Sequence, residues 1–170
     1  MLGLDSLHQS PGLSIAYDHC KDWIFLEWRG FHDEDSVRAG CLLLLHYVQL
    51  KKCTKVLTTD TLSSSKASVV DEWLLDAPGS NSWESAASWL GSEFYRQLAD
   101  AGLKYLAWVN SSSPVNRRAA NAALAASEAL QPKENRLLII TFDDVASAYE
   151  WLQHRPVRPG AVSLPKMALL

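Results

Sequence analysis

Serines gather at two points in this chain. Ser63, Ser64 and Ser65 follow one β-branched run, and Asn110, Ser111, Ser112 and Ser113 follow another. A serine at a strand end can be phosphorylated, and the added charge beside a helix start remodels a docking surface. Ser63, Ser64 and Ser65 are therefore the phosphorylation candidates, although serines in such places also serve as helix caps and loop solubilisers. The second run leads into a helix with Arg117 and Arg118 near its first turn. Free backbone N–H groups and a guanidinium together cradle a phosphate or carboxylate. With Asp60 at a neighbouring strand end, the candidate ligand- or anion-binding set is Asp60, Asn110, Ser112, Ser113 and Arg117. Arginine opposes the dipole at a helix start, which marks out Arg117; solvated arginine pairs on helix surfaces need no ligand.

Other reactive side chains form no constellation. His8, His19, His32, His46 and His154 are scattered, with no H-x-x-x-H or H-E-x-x-H. His19 precedes Cys20, but a Cys–His dyad needs a third group to orient it. Cys20, Cys41 and Cys53 are odd in number and never spaced C-x-x-C, a pattern of reduced thiols rather than of disulfides or zinc. Dinucleotide, Walker A and nucleophile-elbow motifs are absent. No catalytic residue, metal or cofactor is expected.

These residues must be held by a scaffold, and the apolar pattern supplies one. At 170 residues with 48% hydrophobic and 21% charged residues, the chain is sized for one globular domain. A net charge of −3 without a basic stripe argues against nucleic acid. The start lacks the basic and apolar regions of a signal peptide, and the longest apolar run, 41–45, is too short to span a bilayer. A cytoplasmic protein without membrane insertion is expected.

LSIAY (13–17) and WIFLEW (23–28) read as strands joined by a turn over 18–22. Residues 32–35 open a helix whose buried stripe is Val37, Cys41, Leu44, Leu45 and Val48. Leu43, Tyr47 and Leu50 lie on another side, so this helix is expected to be covered twice. KVLTT (55–59) is a strand, followed by a long connection over 61–81 with room for a short helix at 65–75. Asn81 and Glu84 have the spacing of a capping box. Trp83, Ala87, Leu90, Phe94, Leu98 and Ala101 line the next helix, which Gly102 stops. KYLAWV (104–109) is a strand, Ser113-Pro114 starts an Ala-rich helix to about Leu130, and 131–135 is a turn. Near-continuous LLIITF (137–142) reads as a strand buried on both faces. Asp143 or Asp144 caps a last helix carrying Val145, Ala148, Tyr149 and Leu152.

The resulting order is β-β-α-β-α-β-α-β-α, a mostly parallel central sheet with an N-terminal antiparallel hairpin. Trp28-Arg29-Gly30-Phe31, the strand ending in Asp60, Ala101-Gly102-Leu103-Lys104 before Leu106-Ala107-Trp108-Val109, and Phe142-Asp143-Asp144 before Glu150-Trp151-Leu152 complete the pattern. Over residues 13 to 153 it resembles the STAS-like, SpoIIAA-like proteins of bacteria, fold relatives of the anti-sigma-factor antagonists. The resemblance implies a single STAS-like α/β domain over 1–153 that regulates by binding protein. It also implies a serine switch at a strand end, whose counterpart here is 58–65. No glycine follows these serines, so the Asp-Ser-Ser-Gly signature of that switch is missing.

Contact residues follow from the apolar pattern. Leu43, Leu50, Trp73 and Trp89 stand off the expected core faces and are the interface candidates, for a homodimer or an unidentified protein partner. The tail over 154–170 holds three prolines among apolar residues and is expected to pack on the domain or a second subunit. The expected function is a non-enzymatic STAS-like regulatory or protein-interaction module. The alternatives are a receptor for a small anionic or lipid-like ligand at the strand ends, and an enzyme using Asp60 with a nearby hydroxyl.

Overall fold

Leu13, Ile15 and Tyr17 alternate with Ser14, Ala16 and Asp18, and the alternation becomes strand β2 (Leu13–Asp18), buried on one face and half-buried on the other. The computed structural model describes residues 3–30, 32–61, 82–109, 114–130 and 136–156. Before β2 comes β1 (Leu4–Gln9), and after it β3 (Trp23–Arg29), helix α1 (Glu34–Lys51) and β4 (Lys55–Thr61). Helix α2 is composite: α-helical over Ser82–Trp89, a π-turn over Leu90–Phe94, and α-helical again over Tyr95–Asp100. β5 (Tyr105–Val109), α3 (Pro114–Leu130), β6 (Leu138–Phe142) and α4 (Val145–Gln153) complete the chain order.

All six strands form one sheet in the order of the chain. β1, β2 and β3 pair antiparallel, whereas β3 to β6 run parallel. Right-handed crossovers between sequential parallel neighbours all step the same way, so their helices share one face. The core agrees: Ile24, Leu26, Val56 and Leu106 of the sheet pack with Val37, Cys41 and Leu44 of α1, Leu90 and Leu98 of α2, and Ala123 of α3. On the opposite face α4 buries Ala148 and Leu152 against Trp23, Leu57, Ala107 and Val109.

Two expectations need correction. β1 lies outside the expected hairpin, because LDSLHQ is poor in β-branched residues. It is held by pairing with β2 and by α1, whose Tyr47 hydroxyl donates to the Leu7 carbonyl at 2.7 Å. Leu7, Leu43, Leu45 and Tyr47 are each half-buried against the main core, and the Tyr47–Leu7 bond brings the second apolar side of α1 to β1. β6, expected to be buried on both faces, is an edge strand: Leu138 is 41% exposed, and Ile139 to Phe142 are half-buried. Sequential strand order makes the last strand an edge whatever its hydropathy.

Both helix caps are as expected, but Val145, grouped with Ala148 and Leu152 on the last helix, is 49% exposed. Asp33 caps α1 by accepting from Ser36 N–H at 2.7 Å. Asp144 does the same for α4 through Ser147 N–H at 2.7 Å, and this bond holds the Asp144 carboxyl below its ordinary value. Gly102 follows α2 with φ +101°, a conformation that suits glycine. Leu45, expected in the buried stripe, is half-buried. The short helix at 65–75, Asn81, Ser113, the turn at 131–135 and the tail beyond residue 156 lie outside the described residues. Where α4 ends, the buried Lys55 ammonium donates to the Leu152 and Arg155 carbonyls at 2.9 and 2.7 Å.

Tyr95 marks one costly spot in the core. It is 1% exposed, and its hydroxyl has no hydrogen-bond partner among the described residues. Burial pushes this phenol and the neighbouring Cys41 thiol upward in pKa. A buried hydroxyl without a partner costs more than it contributes. Tyr95→Phe is therefore expected to stabilise the protein by about 1 kcal/mol in urea unfolding.

Candidate ligand pocket at the strand rim

The parallel strands bring their C-terminal ends to one rim, where Trp28 stands level with Asp60, Thr59 with Val109, and Val109 with Phe142. Of the residues proposed for this rim, Asp60 is described as half-buried in β4. Asn110, Ser112, Ser113, Ser63, Ser64, Ser65 and Trp73 lie outside the described residues, and Arg117 is placed only by its backbone in the first turn of α3.

A pocket of about 570 Å³ opens on the same rim, where the end of β3 meets the first half of α1. This is within the size range of small-molecule sites. Leu13, Trp28, Gly40 and Leu43 form its apolar wall, with Gly12 and Ala39 beside them. His8, Ser10, His32, Asp33 and Ser36 supply its polar groups. Three separate parts of the chain are needed: the end of β1 and the turn after it bring His8, Ser10 and Gly12, β3 brings Trp28, and the start of α1 brings His32, Asp33 and Ser36.

Each wall has a physical reason. Gly40 is where α1 rides directly over the Trp28 indole; an added Cβ would stand 2.4 Å from Cη2 and 2.7 Å from Cζ3. His32 crosses Trp28 edge to face, with ring centroids 5.0 Å apart. Its Nε2 lies 3.0 Å from the Arg29 carbonyl, which only accepts, so Nε2 carries a hydrogen. Its Nδ1 meets Ser36 Oγ at 3.2 Å. With both nitrogens engaged, His32 braces the β3–α1 connection. Ser10 Oγ donates to the Leu13 carbonyl at 3.2 Å and so fixes the start of β2.

The interface candidates take three different environments. Leu50 is 61% exposed on α1. Leu43 is half-buried and lines the pocket. Trp89 is half-buried between Phe94, stacked at 5.4 Å, and the Arg38 guanidinium, 4.7 Å from its ring centre. As for nucleophiles, burial raises the Cys41 thiol, the direction opposite to activation. Among the described residues no helix is long and apolar enough to cross a membrane.

No family model, no curated protein and no solved structure matches this chain.

His8 joins His32 and Asp33 in one pocket through topology. His8 and His32 are separated by two strands and two turns, and no spacing rule links them. The pairing of β1 with β2 and the Tyr47–Leu7 bond to α1 bring them to one pocket.

Proposed function

We propose that this chain is a non-enzymatic, cytoplasmic STAS-like module of bacterial type that regulates by binding protein, as a homodimer. One observation supports the reading most: four parallel strands in chain order stand behind an antiparallel N-terminal unit, the architecture the resemblance implies. Leu42 and Leu50, 51% and 61% exposed on α1, are the apolar residues left for a second copy. The solution mass at micromolar concentration tests this contact. Twice the chain mass is expected, with Leu42→Glu and Leu50→Glu together returning the monomer. A strict monomer that captures no partner from its native cell, with no phosphate on Ser63, Ser64 or Ser65, ends the proposal.

A second reading, a small-ligand receptor at the strand rim, is favoured by the pocket between β3 and α1. The two readings are compatible, since a ligand seated under α1 would alter the helix that carries Leu42 and Leu50.

A further inference from the structure

We infer that this pocket takes a small ring-bearing amine, with the ring against Trp28, Leu13 and Leu43 and the nitrogen at Asp33. The inference rests on the receptor reading and replaces its anionic ligand with a basic one. One of the amides that would greet an anion at the start of α1 is already taken, because Ser36 N–H donates to Asp33 Oδ1 at 2.7 Å. That first turn is acidic, with Glu34 and Asp35 following the cap. Neighbouring guanidiniums point elsewhere: Arg38 holds Glu34 at 2.8 Å, and Arg29 holds Glu27 at 2.9 Å. An anion entering here meets carboxylate, whereas an amine gains an exposed ion pair and a hydrogen-bond acceptor.

The opposite wall suits a ring. Gly40 contributes no side chain, so α1 closes onto the buried Trp28 indole, whose edge lines the pocket beside Leu13 and the half-buried Leu43. His8 is half-buried at the polar side and can donate or accept toward the ligand's edge.

Titration calorimetry with tryptamine and phenethylamine, against indole-3-acetate and phenylacetate, tests this in the full chain. Both amines are expected to bind up to about fivefold tighter than the matching carboxylates, the most an exposed ion pair supplies. Asp33→Asn should erase that preference while keeping the fold, because asparagine caps a helix as well as aspartate does. Ala39→Trp, at an exposed position on the pocket wall, should block all four probes. Carboxylates binding tighter than amines, and blocked by Ala39→Trp, would overturn the ligand class and leave the receptor standing. Amine binding indifferent to Ala39→Trp would place the site elsewhere and overturn the inference. If no probe binds at millimolar concentration, the inference falls.

Discussion

Replacing Gly91 with alanine is expected to lower stability by about 1–3 kcal/mol, although the same change in an isolated helix would raise it by about 1 kcal/mol. Gly91 sits in the π-turn of α2, buried against α3. A Cβ there would stand 2.5 Å from the Ala123 carbonyl oxygen and 2.6 Å from the Ala126 Cβ. Neither neighbour is the end of a flexible side chain, so α2 and α3 would have to separate. The Ala-rich composition of α3 has its reason here: Ala120 and Ala123 are 2% and 0% exposed, and small side chains let the helices approach. Urea unfolding of Gly91→Ala measures the loss. Adding Ala126→Gly should recover only part of it, because the contact with the backbone oxygen remains. A Gly91→Ala protein as stable as its parent would mean that the helices are further apart than described.

Lys55→Ala should cost more, about 2–4 kcal/mol, and lower Tm by about 5–15 °C for a chain of this size. Lys55 is 2% exposed and supplies two hydrogen bonds to carbonyls where α4 ends, Leu152 at 2.9 Å and Arg155 at 2.7 Å. Its ammonium also lies 5.8 Å from the Trp23 ring centre. Alanine leaves both acceptors unserved and opens a cavity beneath the helix; Lys55→Met fills the space but not the bonds and should lie between. Burial lowers the Lys55 pKa from its ordinary 10.5. The folded state therefore releases this proton first. In the window between the lowered folded value and 10.5, the unfolded chain holds more protons, and stability from this group rises with pH. That rise should be absent in Lys55→Met, as paired thermal melts across the alkaline range would show.

The sequence revealed elements through period and punctuation, but could not reveal neighbours. β2, β3, β4 and β5 announce themselves by β-branched and aromatic runs, and α1 and α4 by Asp33 and Asp144 at their caps. β1 was not legible, since Leu4–Gln9 owes its strand to β2 on one side and Tyr47 above it, contacts made far along the chain. β6 misled because hydropathy reports the wish to be buried, whereas position in the sheet decides whether a second neighbour exists. The pocket was hidden for the same reason as β1. Its residues span His8 to Leu43, and its apolar wall uses Trp28, whose composition reads simply as core.

Amide chemical-shift mapping of the labelled protein during titration with tryptamine tests whether a ligand seats between β3 and the start of α1. Saturable shifts are expected at Gly12, Leu13, Ser36, Ala39 and Gly40, with the Trp28 indole resonance moving alongside them. Shifts confined to α4 and β6, with those five amides unmoved, would contradict that seating.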